Sequence, residues 1–193
     1  MSAAQTTKLA PTPQDTEGPF YPTAWSGDVD ADLVTFNGKT YVSGVSLVIS
    51  GRVQSVDGAA IANAIVDIWQ ADEAGKYRHP SDDGEGPAKR GFQGYGRAKT
   101  DAEGRYSFRT IKPKLYGGRP AHVHFRVIAP RFVMLTTQMY FAGENKEGGF
   151  LGSTFGGFSK ERDRLTVTPQ TSQRDGREAL SVSFNIVLAP QAA

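Results

Sequence analysis

The ten residues Arg119-Pro120-Ala121-His122-Val123-His124-Phe125-Arg126-Val127-Ile128 decide how this chain is read. Pro113 and Pro120 punctuate the approach, and Phe125 to Ile128 is apolar apart from Arg126, which predicts a β-strand over 122–128 entered from a tight loop. Side chains on a strand alternate faces, so His122 and His124 project to one side and Val123 to the other. Two imidazoles on one face can reach a single ion. The chain has three histidines, no cysteine and no HExxH helix, so further ligands to such an ion come from carboxylates, phenolates or water. Tyr116 is the nearest oxygen ligand in sequence, beside Gly117-Gly118, where the backbone can turn sharply back toward the strand.

Short strands surround this one. Leu135, Thr137 and Met139 alternate with Thr136, Gln138 and Tyr140 over 134–141, and pairing beside the histidine strand would turn Gln138 to the side of the imidazoles. Upstream, Val45, Leu47 and Ile49 alternate with Ser46, Val48 and Ser50 in a strand over 42–53, and Asp57-Gly58 predicts a hairpin turn. Ala64 to Gln70 follows as a second strand, with Trp69 assigned to the core. Ala71 to Arg90 reads as an irregular loop, and it carries Tyr77 and His79 just after Gly75. A turn at Asp101–Gly104 separates strands over 96–100 and 106–110, with Tyr106 and Phe108 on the core face. Tyr95, between Gly94 and Gly96, reads as a loop aromatic able to line a substrate pocket.

At the C-terminal end Leu180, Val182, Phe184, Ile186 and Leu188 alternate in a single strand. Residues 144–163 form a glycine-rich connection, long enough to be mobile or a lid. Ser2 to Asp15 is a loose arm, and Gly18-Pro19-Phe20-Tyr21-Pro22 is an extended segment that either covers a sheet edge or, through Tyr21, walls a substrate pocket. Hardly any helical period occurs. Many short strands joined by Gly and Asp turns predict one all-β domain over 1–193, an antiparallel β-sandwich over 42–193 with long loops and an extended N-terminal arm over 1–41.

Composition sets the outer limits. The 193 residues suit a single core, and 38% hydrophobic residues fit a globular β-rich chain. A net charge of +2, with scattered basic residues, argues against a nucleic-acid or membrane partner. No apolar run approaches the roughly 20 residues that span a bilayer. Met1 to Pro13 lacks the regions of a signal peptide, so a cytoplasmic location is expected, or a periplasmic or secreted one if a leader has been removed.

Beyond these patterns, a series of motifs resembles the intradiol ring-cleavage dioxygenases. It comprises Gly51-Arg52-Val53, Asp57-Gly58, Ala64 to Asp72, Gly75-Lys76-Tyr77-Arg78-His79, Thr100 to Thr110, Tyr116, Arg119 to His124 and Thr136-Thr137-Gln138, in that order over about half the chain, with the Gly18-Pro19-Phe20 arm ahead of it. The resemblance implies a transthyretin-like (prealbumin-like) sandwich core and a non-haem Fe(III) held by Tyr77, Tyr116, His122 and His124. Arg119 and Gln138 would lie next to those ligands, and Tyr116 would be the ligand that leaves when substrate chelates. It further implies that both atoms of O2 enter a catechol, to give a cis,cis-muconate type diacid. Phenolates suit this ion, because hard anions stabilise the ferric over the ferrous state. Tyr77 would stay bound throughout. In the family the counterpart of His79 does not touch the ion, and a loop hydrogen bond is its expected task.

The chain departs from the better-known branches in two places. Too few residues precede Val45 for the helical dimerisation region of the catechol and hydroxyquinol branches, so a homodimer would form through the N-terminal arm or an exposed sheet edge. Only Gly117 and Gly118 separate Tyr116 from Arg119, where those branches insert a longer pocket wall. A wider, more open site is expected, active on several substituted catechols without strong demand for a ring carboxylate. Two other readings stand beside this one, a non-catalytic transthyretin-like binding module and a His/Tyr enzyme using another metal.

Overall fold

Alternation sorts the strands into two facing sheets. In the computed structural model, which describes residues 7–25, 27–82, 86–144, 161–174 and 176–192, the long strand β3 (Ser46–Ser55) sends Leu47, Ile49 and Val53 inward, all fully buried. Short strands β1 (Thr35–Phe36) and β2 (Lys39–Thr40) pair before it. The histidine-bearing sheet runs β5 (Tyr95–Lys99), β4 (Ile65–Trp69), β7 (His122–Ile128), β8 (Leu135–Phe141), β9 (Thr166–Val167). The other sheet pairs β6 (Arg105–Ile111) antiparallel to β3, and runs from β3 to β11 (Arg177–Ser183) and β10 (Gln170–Arg174), with β12 (Ile186–Leu188) also on β3. Val66, Ile68, Val123, Phe125 and Val127 from one sheet meet Leu47, Ile49, Phe108 and Val182 from the other in one core. The all-β sandwich is as expected, but its sheets are mixed: β11 and β12 run parallel to β3, and β9 parallel to β8.

Three local readings change. Asp57-Gly58 does form a turn, with Gly58 N donating to Ser55 O, yet it returns only as far as a single Gln54–Ala60 bridge. The chain then crosses over, so β3 and β4 face each other across the core instead of pairing. The alternating C-terminal run is two strands. Phe184 N donates to Ser50 O and its carbonyl comes so close to Gly51 that an added Cβ would stand 2.1 Å away, while the Asn185 side chain takes the next ladder position by accepting from Arg52 N. Third, the arm is tied down. Leu9 N donates to Val56 O, Thr12 N to Val187 O and Asp15 N to Thr136 O, and Leu33, Val34, Phe36 and Tyr41 are buried with the core. The loop after β4 contains a short helix, α1 (Gly86–Lys89). Most of the glycine-rich connection expected over 144–163 lies outside the described residues.

This packing explains why β7 is buried on both faces. Val123, Phe125 and Val127 fill the sandwich core; His122 and His124 point the other way, under the N-terminal arm.

Candidate metal centre

The arm, the loop before β7 and the loop after β4 meet over the outer face of β4, β7 and β8. Alternation sets the first pair of donors on β7, and the register sets their neighbours: Trp69 lies opposite His124 on β4, Gln138 opposite His124 and Tyr140 opposite His122 on β8. Tyr77 arrives on a loop stapled by Asp72. That buried carboxylate accepts from Ala74 N and Lys76 N, both at 2.9 Å, and pairs with Arg90. Gly75, at φ +76°, lets the loop pass against the Leu115 carbonyl, and Lys114 N donates to Asp72 O at 3.1 Å. The loop bearing Tyr77 is thereby locked to the loop bearing Tyr116.

Three donor atoms converge. Tyr77 Oη lies 3.2 Å from both His122 Nε2 and His124 Nε2, and the two Nε2 atoms are 3.1 Å apart. His122 Nδ1 lies 2.7 Å from Pro120 O, a carbonyl that can only accept, so Nδ1 carries the proton and the Nε2 lone pair faces inward. Donors bound at about 2.1 Å and at right angles around one ion stand about 3 Å apart, which is the spacing of this triangle. Tyr116 stands to one side of the triangle, its ring edge-on to Tyr77 at 5.5 Å and to Phe20 at 5.2 Å, and its backbone bridged to Arg119. Among the described residues no cluster of three or more His, Cys, Asp or Glu offers an alternative ion site.

Electrostatics favours the same donor set. Burial pulls the His122 imidazole down to about 4, helped by the Arg119 and Arg162 charges and opposed by the Pro120 carbonyl. Burial, then the His122 and Arg119 charges, hold His124 well below its ordinary value. Both imidazoles are neutral at pH 7. Burial pushes the Tyr77 and Tyr116 phenols up, so neither ionises without a cation beside it. Two neutral imidazoles and two phenols able to become hard anionic donors fit a hard, highly charged metal ion.

Next to the triangle, Arg119 Nη2 donates to Gln138 Oε1 at 2.9 Å. The Gln138 amide is oriented by its Nε2 donating to Thr16 O at 2.6 Å, and the Tyr140 hydroxyl lies 2.9 Å from both Gln138 Oε1 and Asp15 Oδ2. His79 accepts from Ser81 N through Nδ1, a loop hydrogen bond as expected. Tyr21 stands edge-on to Trp69 at 5.0 Å. Tyr95 is a strand residue at the start of β5, buried against Trp25 and beneath the Arg78 guanidinium, where a loop aromatic was expected.

Sequence reasoning missed Trp69, Phe20 and Tyr140. Trp69 is buried as predicted, but on the face away from the sandwich core, stacked on His124 at 4.8 Å and 7° from parallel. The signal was present: Trp69 shares its strand face with Asp67, a carboxylate that no apolar core would accept unpaired. Tyr140 follows Gln138 by two and so shares its face. Phe20, stacked on Tyr77 at 4.7 Å, had no such marker.

Comparison with known proteins bears on this geometry. The family profile described as Dioxygenase matches residues 16–190. The chain is 36% identical over 189 residues to the protocatechuate 3,4-dioxygenase beta chain of Burkholderia cepacia, covering 91% of this chain and 78% of that one. It is 37% identical over 155 residues to catechol 1,2-dioxygenase 2 of Acinetobacter lwoffii, covering 69% of this chain but 52% of the relative, so it spans about half the length of that enzyme. Among solved structures, the dioxygenase domain of a carbohydrate-binding fusion from Streptomyces sp. SirexAA-E superposes with a TM-score of 0.70 at 30% identity, over 94% of this chain and 100% of that domain. A match running from the arm that covers the histidines to the last strand of the sandwich leaves one assignment: the chain belongs to the intradiol ring-cleavage dioxygenases.

Proposed function

We propose that the protein is a non-haem Fe(III) dioxygenase that cleaves catechols between their two hydroxylated carbons, placing both atoms of O2 in a cis,cis-muconate type diacid. The observation that carries the reading is the triangle of Tyr77 Oη, His122 Nε2 and His124 Nε2, with Tyr116 beside it. Tyr77, Tyr116, His122 and His124 would hold the ion. Bound there, a ferric ion supplies Lewis acidity toward the catechol hydroxyls and covalency that makes the ring carbon reactive toward O2.

The protein side of the reaction divides between fixed and movable groups. Tyr77 is 3% exposed on a loop stapled by Asp72, so it remains in place. Tyr116 is more exposed and sits on a turn whose two glycines face nothing within 4 Å, so its phenolate is free to swing out and accept one of the two protons leaving the catechol. Arg119, tethered to Gln138, sets a fixed cation beside the developing negative charge, worth a few kcal/mol of barrier, on the order of one oxyanion-hole donor.

The relatives are named for protocatechuate and catechol. For this chain the short Tyr116–Arg119 turn supports a broader range of substituted catechols. The arm is taken up by its own sheet, so a homodimer would use an exposed edge such as β10. No helix among the described residues is long and apolar enough to cross a membrane.

The test is oxygen uptake by the iron-loaded protein against a panel of catechols, with ultraviolet spectra of the products. Expected are a red-brown tyrosinate-to-iron band that changes on adding catechol, and intradiol products from several substrates. Tyr77→Phe and His124→Ala should lose colour and turnover together. A colourless wild-type protein after ferric loading, or a variant of either residue that keeps full activity, would falsify the assignment. Turnover of protocatechuate alone refutes the broad specificity but leaves the reaction standing.

A further inference from the structure

The two histidines of the triangle are held by different means. His122 is fixed in ring plane and tautomer by its 2.7 Å hydrogen bond to Pro120 O. His124 is just as deeply buried, yet its Nδ1 has no hydrogen-bond partner among the described residues. The Thr16 carbonyl acts on that ring as a backbone acceptor, but its short hydrogen bond is the one it accepts from Gln138 Nε2 at 2.6 Å. Imidazoles that bind metals almost always donate the other ring N–H to an oriented acceptor, which fixes the ring. His124 has only that shared carbonyl, with no hydrogen bond to match the 2.7 Å one that fixes His122.

What lies against His124 is Trp69, its ring 4.8 Å away and 7° from parallel. Trp69 is 1% exposed and its Nε1 likewise has no partner among the described residues, so packing alone sets the indole plane. The packing comes from the N-terminal segment. Tyr21 meets the indole edge-on at 5.0 Å, the Arg126 guanidinium caps the Tyr21 ring at 3.7 Å, and Arg126 pairs with Glu17. Gly18 closes the other edge of the imidazole, where an added Cβ would stand 3.2 Å from His124 Cε1.

We infer that Trp69 is the positioning residue of His124: the stacked indole, backed by Tyr21 and Arg126, does for this ligand what the Pro120 carbonyl does for His122. The inference rests on the reading of the triangle as a metal centre. It gives the Glu17–Tyr21 segment a task beyond covering a sheet face, because that segment ends the stack that orients a ligand.

The experiment loads wild type, Trp69→Leu, Trp69→Phe and Phe108→Leu with ferric iron. It then reads the visible band, the iron retained against a chelator, and the melting temperature. Trp69→Leu should retain iron about tenfold more weakly, the scale of losing a ligand's orienting partner, and shift the band. Trp69→Phe keeps an aromatic face and should stay within about threefold of wild type. Phe108 is buried on β6 in the sandwich core, on the far side of β7 from the imidazoles. Phe108→Leu should therefore lower the melting temperature while leaving the band and iron retention unchanged. If Trp69→Leu fails to fold, Tyr21→Leu carries the same test at the outer edge of the indole, with an expected loss of about threefold. Wild-type retention and band in Trp69→Leu, or in Tyr21→Leu where that variant stands in, overturn the inference. So does an equal loss of iron in Phe108→Leu. A wild-type protein that takes up no iron overturns the metal reading underneath instead.

Discussion

Replacing Gly75 by alanine should separate the two tyrosines of the proposed metal centre without touching either. Gly75 has φ +76°, where an L-residue costs about 1–2 kcal/mol. An alanine Cβ would in addition stand 2.8 Å from the Leu115 carbonyl oxygen, a backbone atom that cannot rotate away. The loops bearing Tyr77 and Tyr116 must therefore part by several tenths of an ångström, working against the 3.1 Å Lys114 N to Asp72 O bond. Gly117 and Gly118 provide the control. Their φ values are +55° and +78°, and an added Cβ meets nothing within 4 Å. Alanine at either should cost only the backbone preference, about 1–2 kcal/mol or a fall of roughly 2–8 °C in Tm for a chain of this size. Gly75→Ala should exceed that by about 1–3 kcal/mol, as overpacking does, and weaken the tyrosinate band of the iron-loaded protein, while Gly118→Ala leaves the band intact. Thermal melting followed by circular dichroism and a ferric titration followed in the visible read both quantities. If Gly75→Ala and Gly118→Ala melt together and share one spectrum, the close approach of the two loops does not hold Tyr116 in place.

Three further outcomes are expected. In the metal-free protein the folded His122 value, about 4, lies below the ordinary 6.5, so between those values the unfolded chain binds more protons. That contribution to stability is complete above pH 6.5 and is lost as the pH falls toward 4, about 3 kcal/mol in all; urea melts should show the slope, and an unchanged slope in His122→Gln would exclude His122 as its source. Tyr140→Phe removes the hydroxyl lying 2.9 Å from both Asp15 Oδ2 and Gln138 Oε1, and should lower kcat by about tenfold through Arg119 while the iron band stays put; a shifted band would mean the ligands themselves had moved. Thr110→Val strands the buried Gln70 Oε1, which accepts from Thr110 Oγ1 at 2.9 Å, and should cost about 1–3 kcal/mol in a denaturant melt with activity per folded molecule unchanged.

Much of this organisation can be read from residue order alone, because strand alternation is a local property. The alternation in 122–128 placed both imidazoles on one face, and that in 135–141 turned Gln138 the same way once the two strands paired. The motif order carried the family, and with it the four proposed ligands. Turn chemistry was legible at Asp57-Gly58 as a turn, though not as to what it joined, since a turn residue reports its own φ and nothing about which sheet the next strand enters.

What the chain alone determined, then, is which residues alternate, where the backbone turns and which donor types are present. Tertiary structure decided whatever depends on two distant segments meeting. It tied down residues 9–15, read as a loose arm, and laid the extended segment after them over the imidazoles that the outer face of β7 buries. It moved Trp69 from the sandwich core to the side of the imidazoles, because β4 lies next to β7 in register with His124. It locked Tyr77 to the Tyr116 loop through a glycine whose importance appears only when the Leu115 carbonyl is brought against it. Local patterns settle the direction of a side chain; only long-range packing settles what stands in front of it.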